Sequence, residues 1–137
     1  MHRREWQRMS RARLSEAQSL LSASQWSGAY YLAGYAVEFG LKAVLARQFQ
    51  SATIPNKKLV FDIHTHNLDA LVKLAGLKQA LDAEVQTNPS MELNWSVVKD
   101  WSEVSRYSEW TALEAADLVD AVGNRTSGVM KWVKRQW

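Results

Sequence analysis

The fold is decided by residues 26–45, which read WSGAYYLAGYAVEFGLKAVL. Apolar residues recur along this stretch at spacings of three and four, and they cover more than one face of a helix. Glu38 and Lys42, together with three tyrosines and three glycines, make the stretch costly to place in hydrocarbon. We therefore expect a helix over about residues 25–48 at the centre of a soluble protein, not a transmembrane segment.

Helical patterns continue on both sides of this central segment. They predict an amphipathic helix over 3–23 and a third helix that Asn67 caps and that ends at Gly76. Further helices are predicted over 78–86, over 94–105 with Val97, Trp101 and Val104 on one side, and, after a capping box of Thr111 and Glu114, over one long stretch to Trp137. Six glycines and two prolines leave few turn positions. The sequence predicts an all-α fold, an antiparallel bundle of four main helices plus a short fifth.

The chain, residues 1–137, has the length of one domain, and no repeat or linker divides it. Residues 51–66 lack helical periodicity and contain Pro55, so we expect a long surface loop there. The basic N-terminus is not followed by the apolar run of a secretion signal, and the chain has no cysteine. We therefore expect a cytoplasmic protein without disulfides or thiolate chemistry.

Charge is distributed unevenly along the chain. The net charge is +3, yet residues 1–13 carry five arginines against one glutamate, and residues 131–135 carry three more cations. The segment between them is net acidic. Clustered arginines can bind phosphate groups, whereas cations at a helix C-terminus are also favoured by the helix dipole alone. Both interpretations stay open at this point.

The chain contains seven tryptophans, more than one small core needs. Trp110, Trp132 and Trp137 lie near chain ends or off the main apolar stripes. We expect these three to form a second apolar surface of the kind that usually marks a partner site. A homodimer that packs through its helices is the expected assembly.

Glu38 and Lys42 are four positions apart on the central helix, in the order that supports a helix. A carboxylate among apolar residues also needs a partner, because a buried, unpaired charge is costly. Arg106 is the candidate partner, since with Tyr107 it lies at the break before the last helix, where both side chains could face a cleft. An arginine at such a break can bind phosphate or cap helix carbonyls.

His64 and His66 form the one histidine cluster of the sequence. With Asp62 they could contribute to a metal site, but a closed site needs four ligands and cysteine is absent. Local hydrogen bonds beside the third helix are the simpler interpretation, and we expect no metal and no cofactor. The sequence has no Gly-rich phosphate loop, no Ser/His/Asp arrangement and no paired catalytic carboxylates.

Three segments of the chain resemble the HEPN domain family. They are the alanine-rich residues 28–43, the His-Thr-His-Asn-Leu-Asp-Ala-Leu sequence at 64–71, and Arg106-Tyr107 before a long last helix. The similarity extends over residues 14–133. It implies a helical bundle, frequent dimerisation, and a role in nucleotide or RNA transactions, often beside a small nucleotidyltransferase in toxin-antitoxin or defence systems.

The resemblance also implies a test for catalysis, because many family members are metal-independent ribonucleases. Their motif is an arginine followed, after four to six residues, by a histidine. From Arg106 this histidine would fall at Thr111, Ala112 or Leu113, and no other arginine of the chain has a histidine at that spacing. Acid-base cleavage needs a group that titrates near neutrality. His64 and His66 are the candidates that could substitute.

The expected function is that of a non-catalytic HEPN-like domain that binds nucleotide, RNA or a partner protein. The candidate ligand-binding residues are Glu38, Lys42, His64, His66, Arg106 and Tyr107. A ribonuclease toxin that uses His64 or His66 across a dimer is one alternative, and a pure protein-interaction module is another. Whether the protein is an enzyme stays open, with the missing motif weighing against it.

Overall fold

The computed structural model of the chain describes residues 2–49 and 57–137. These residues form eight α-helices and one 3-10 helix, without a strand: α1 Arg3–Ser22, α2 Trp26–Gln48, α3 Lys57–Asp62, α4 Leu68–Leu74, α5 Lys78–Thr87, α6 Pro89–Val98, the 3-10 helix Glu103–Tyr107, α7 Ala112–Gly123 and α8 Val129–Arg135. The predicted all-α helical fold is therefore confirmed.

Helix α2 lies at the centre of the bundle, as its apolar composition predicts. Twelve of its residues are buried, and it contacts α1, α4, α7, α8 and the 3-10 helix. Helix α1 runs antiparallel to it, and the Oγ of Ser10 donates a hydrogen bond to the carbonyl of Ala36 at 2.6 Å. None of the helices that the structure describes is both long and apolar enough to cross a membrane.

Two of the predicted helix ends are set by the side chains that the sequence singled out. The Oδ1 of Asn67 accepts a hydrogen bond from the backbone N–H of Ala70 at 2.9 Å and caps α4. The chain leaves α4 through Gly76, whose φ of 72° is favourable for glycine. Thr111 and Glu114 form the predicted capping box at the start of α7. Local sequence thus fixes where these helices begin and end.

Replacement of Thr111 by alanine should lower the free energy of unfolding by about 1 kcal/mol. The variant loses the Oγ1 that accepts a hydrogen bond from the backbone N–H of Glu114 at 3.1 Å. Urea unfolding measures the difference. Thr111→Ser keeps the hydroxyl and should retain the stability of the wild type, so equal losses in both variants would contradict this role of the cap.

The predicted helix over 94–105 is wrong in its boundaries. Helix α6 begins earlier, at Pro89, whose ring suits the first position of a helix. It ends before Trp101, which is buried while Val97 and Val104 are exposed. The three residues do not share a face, because the chain turns after α6 and continues as the 3-10 helix.

The predicted long last helix is also wrong, since it is interrupted between Gly123 and Val129. The Oδ1 of Asn124 accepts hydrogen bonds from the backbone N–H groups of Thr126 at 2.9 Å and Ser127 at 3.1 Å. Such a side-chain turn competes with helix formation. Helices α7 and α8 both pack on the same core, which is why the apolar spacing continues through the break.

The segment predicted as a surface loop, residues 51–66, contains a short helix. Helix α3, Lys57–Asp62, lies within it, so the prediction is wrong for these residues. The Nζ of Lys58 lies 3.7 Å from the Oδ2 of Asp62, an ion pair at the spacing that supports a helix. The part of the predicted loop at 51–56 lies outside the described residues.

The second apolar surface expected from three tryptophans is wrong. Trp132 is buried, with 4% of its surface exposed. Trp110 stacks on Tyr30 with the ring centroids 3.6 Å apart. The Nε1 of Trp137 donates a hydrogen bond to the carbonyl of Gly40 at 2.9 Å. All three indoles pack on the core, because large rings bury apolar area, and the N–H groups of Trp110 and Trp137 donate to the carbonyls of Ser105 and Gly40.

Candidate functional site

One face of α2 carries a row of polar side chains that we call the α2 row: Tyr31, Tyr35, Glu38 and Lys42. Their spacings of four, three and four residues place them above one another along the helix. The two tyrosines and Lys42 are partly exposed, whereas Glu38 is only 1% exposed. These four side chains form the base of the candidate site.

Both carboxylate oxygens of Glu38 have partners. Its Oε2 accepts a hydrogen bond from the Nζ of Lys42 at 3.1 Å, and its Oε1 lies 2.8 Å from the Nδ1 of His66. The partner that a buried carboxylate requires is therefore present. The expectation that Arg106 is this partner is wrong, because Arg106 lies beside Tyr31 at the other end of the α2 row.

His66 lies directly before the Asn67 cap of α4, which directs its ring toward α2. Its side chain is 41% exposed, and the edge of Tyr35 packs on it with the ring centroids 6.1 Å apart. A carboxylate at Nδ1 favours the tautomer that carries its proton there, and so leaves Nε2 as a free acceptor. Within the described chain, no side chain or carbonyl bonds to Nε2.

Tyr31 and Tyr35 form the middle of the site. Their hydroxyl oxygens are 3.3 Å apart, with Tyr31 donating, and both rings pack on Trp101 at centroid distances of 6.5 and 5.1 Å. Burial, together with the interaction with Tyr31, raises the pKa of Tyr35 well above its usual value. Tyr35 thus offers a neutral hydroxyl to a ligand at neutral pH.

Arg106 and Tyr107 lie on the 3-10 helix, and both are exposed. The Nη2 of Arg106 donates a hydrogen bond to the Tyr107 hydroxyl at 2.7 Å, and the guanidinium carbon lies 4.7 Å from the Tyr107 ring centroid. Hydrogen bonds to the phenol oxygens of Tyr107 and Tyr31 raise the pKa of Arg106 above its already high value. Arg106 is a permanent cation that is oriented by two tyrosines.

His64 does not join His66 at Glu38. It is exposed and lines a neighbouring cavity of about 540 Å³, between the first turns of α1 and the C-terminal half of α2. Lys42 connects this cavity to the α2 row, since its Nζ lies 5.6 Å from the ring centroid of Trp6 on α1. No group of three histidine, aspartate or glutamate side chains within 2–49 and 57–137 could hold a metal ion.

The structure thus brings together Glu38, Lys42 and His66 at one end of the α2 row, and Arg106 and Tyr107 beside Tyr31 at the other end. His64 lies at the edge of the site. Tyr31 and Tyr35 were missing from the sequence prediction. The signal that could have found them is their helical register with Glu38 and Lys42, which places all four on one face. Tyrosines on an alanine-rich helix fit a core equally well, so their register alone was not decisive.

The chain is an all-α domain with a polar row along its central helix and an Arg-Tyr pair before α7. The chain belongs to the HEPN domain family, whose model matches residues 3–136. The match extends further at both ends than the resemblance over 14–133. Searches among curated proteins and among solved structures gave no match. The family is associated with nucleotide or RNA binding and with ribonuclease activity.

Proposed function

We propose that this HEPN domain binds nucleotide or RNA along the α2 row, with Arg106 as the phosphate ligand, and that it does not cleave the bound molecule. The observation that carries the proposal is the position of Arg106. Its guanidinium is exposed, it is held by the Tyr107 hydroxyl at 2.7 Å, and no helix carbonyl in the described chain accepts its hydrogen bonds. Of the two roles that the sequence allows for Arg106, capping of helix carbonyls is therefore not observed, and phosphate binding remains.

The groups around Arg106 match the parts of a nucleotide. A guanidinium fork suits phosphate oxygens. Tyr107 is 76% exposed, and an exposed aromatic ring can stack on a base. The hydroxyls of Tyr31 and Tyr35 and the free Nε2 of His66 offer hydrogen bonds to sugar or base. A row of this kind binds one or a few nucleotides.

The residues at the motif positions support the proposal that the domain does not cleave RNA. The histidine of the family's nuclease motif would fall at Thr111, Ala112 or Leu113. The Thr111 hydroxyl is committed to the cap of α7, and alanine and leucine side chains cannot transfer protons. The usual acid-base group is therefore missing from α7.

Arg106→Ala should weaken binding of AMP and of a short single-stranded RNA by about tenfold or more, the loss expected for a charge-assisted hydrogen bond. Fluorescence titration measures the affinity, and circular dichroism confirms that the variant folds. Lys73→Ala is the matched control, because it removes one exposed positive charge on α4. Equal affinities of Arg106→Ala and wild type, or equal losses in both variants, would contradict the proposal.

Metal-independent RNA cleavage is the second candidate function, and one observation favours it. The hydrogen bond between Glu38 and the Nδ1 of His66 orients a partly exposed imidazole, the arrangement that a general base uses. His66 lies on the same face of one chain as Tyr35 and Arg106, so no second copy needs to supply it.

A denaturing gel of labelled RNA, incubated with the protein and a chelator, separates the two functions. Cleavage that is lost in His66→Ala and Arg106→Ala but kept in His64→Ala would establish the nuclease. His64 is the matched control, because it is exposed and is not bonded to Glu38. Intact RNA in all samples would exclude cleavage and leave the binding function.

The remaining parts of the functional proposal rest on the resemblance to the family. We propose that the domain is cytoplasmic, forms a homodimer, and acts beside a small nucleotidyltransferase in a toxin-antitoxin or defence system. Phe61, Leu93 and Leu113 are large apolar side chains left exposed by the fold, and they offer contact surface to a protein partner.

Sedimentation should show the dimer, and a monomer at micromolar concentrations would contradict it. A pure protein-interaction module is the alternative if neither RNA nor nucleotide binds.

A further inference from the structure

One exposed stripe of α1 carries three arginines, a serine and a glutamine and contains no carboxylate. Its exposed members are Arg4, Arg8, Arg11, Ser15 and Gln18. Their spacings of four, three, four and three residues keep them on one side of the helix, over a length of about 20 Å. The two acidic residues of α1, Glu5 and Glu16, lie on a different side, where they pair with His2 and Arg13.

The C-terminal part of the chain has the same character. Residues 121–137 contain four cations and no aspartate or glutamate. Lys131 and Lys134 are exposed and three positions apart on α8, and Arg125 is exposed in the turn before it. The basic charge noted at both ends of the sequence thus belongs to ordered helices.

The fold brings these two basic segments together. The Oγ of Ser10 lies 3.8 Å from the Sδ of Met130 on α8, and the guanidinium carbon of Arg11 lies 4.8 Å from the ring centroid of Trp137. Leu14, one turn further along α1, lines a surface depression together with the cations of the C-terminal part. We call the resulting surface the basic face; its cations are Arg4, Arg8, Arg11, Arg125, Lys131 and Lys134.

Within the described chain the cations of the basic face form no ion pair, although Asp120 lines a surface depression together with Gln18 and Arg125. The ion pairs found in the described parts of the chain involve other residues. Six cations on one surface of a chain with a net charge of +3 leave the rest of the molecule acidic. Such a concentration of like charge is unfavourable for folding by itself. It therefore points to an anionic partner.

We propose that the basic face binds the sugar-phosphate backbone of a polynucleotide, separately from the α2 row. Arginine forks bind phosphates, and serine and glutamine side chains supply further hydrogen bonds to phosphate and sugar. The face is about 20 Å long, which fits a linear polyanion better than a single nucleotide. Release of counterions drives such binding.

The composition of the basic face favours a nucleic acid over a lipid membrane. Membrane-surface helices bury large apolar side chains beside their cations. None of the large apolar residues that are exposed in the described chain lies on α1 or α8. The partner is therefore held by charge and hydrogen bonds alone, as a phosphate backbone is.

The test compares two charge-reversal variants of the full chain. Arg4→Glu, Arg8→Glu and Lys134→Glu together alter the basic face, and Lys73→Glu, Lys78→Glu and Lys99→Glu together change the net charge equally on α4, α5 and the end of α6. The affinity for a labelled single-stranded RNA is measured against salt concentration. The basic-face variant should lose at least tenfold in affinity. The slope of log affinity against log salt concentration should also become shallower, by about two to three released counterions. The control should bind like the wild type.

Several results would contradict the proposal that the basic face binds nucleic acid. They are equal losses in both variants, an unchanged affinity in the basic-face variant, and binding of phosphatidylserine vesicles in place of RNA. If the triple variant fails to fold, Lys131→Gln with Lys134→Gln should still reduce the salt dependence. The AMP affinity should not change in any of these variants, so a failure of Arg106 to bind nucleotide is distinguishable from a failure of the basic face.

Discussion

Gly34→Ala should lower the free energy of unfolding by about 3 kcal/mol, although alanine is the better helix former at an ordinary position. The reason is Trp101, whose indole ring lies against the Gly34 backbone where an added Cβ would overlap with ring atoms. Trp101 is buried and cannot swing outward without exposing its ring. Urea unfolding measures the loss. The displaced indole should also weaken nucleotide binding, because Tyr31 and Tyr35 pack on it.

Gly28→Ala is the matched control in the same helix. A Cβ at Gly28 would lie 3.2 Å from the Cδ1 of Leu20, the end of a flexible side chain that can give way. This variant should be as stable as the wild type, or more stable by up to about 1 kcal/mol. Adding Trp101→Leu to Gly34→Ala should restore part of the loss, because the two positions are in contact. Equal stabilities of Gly34→Ala and Gly28→Ala would contradict the close packing of α2 on Trp101.

Glu38→Gln should lower the free energy of unfolding by about 3 kcal/mol, the cost of removing one partner from a buried ion pair. Because glutamine keeps the shape of the side chain, the loss of stability measures the effect of removing the negative charge. It leaves Lys42, whose side chain is 11% exposed, without its counter-charge. It also changes the group that orients His66, so any function of the imidazole should be lost with it.

Two controls separate this effect from an ordinary surface pair. Glu16→Gln breaks an exposed pair with Arg13 and should cost less than about 1 kcal/mol. Adding Lys42→Met to Glu38→Gln should recover stability, because an apolar side chain replaces the unpaired cation. A loss below about 1 kcal/mol for Glu38→Gln alone would show that Glu38 and Lys42 do not form a buried pair.

The features that were predictable from the sequence depend on short-range patterns. The central helix follows from the apolar spacing of residues 26–45, and the starts of α4 and α7 follow from the Asn67 cap and the Thr111 capping box. These signals involve residues within four positions of each other. The family was also predictable, because its residues lie in order along the chain, and the match over residues 3–136 confirms it.

The features that the sequence did not reveal depend on tertiary contacts. Glu38 and His66 are 28 residues apart, and no local pattern selects His66 over Arg106 as the partner of the carboxylate. The break between α7 and α8 depends on hydrogen bonds of the Asn124 side chain. The spacing of apolar residues gives no information about such bonds. The basic face was visible as charge at both chain ends, but the packing of α1 on α8 is what joins the two.

Whether nucleotide binds on the α2 row can be tested by locating the residues that RNA contacts. Ultraviolet cross-linking of a short single-stranded RNA, followed by mass spectrometry of the peptides, locates the contact. We expect cross-links to Tyr31 or Tyr35 on α2 and to Tyr107 on the 3-10 helix, and these should be lost in Arg106→Ala. Cross-links confined to helices other than α2 and the 3-10 helix would contradict a nucleotide site on the α2 row.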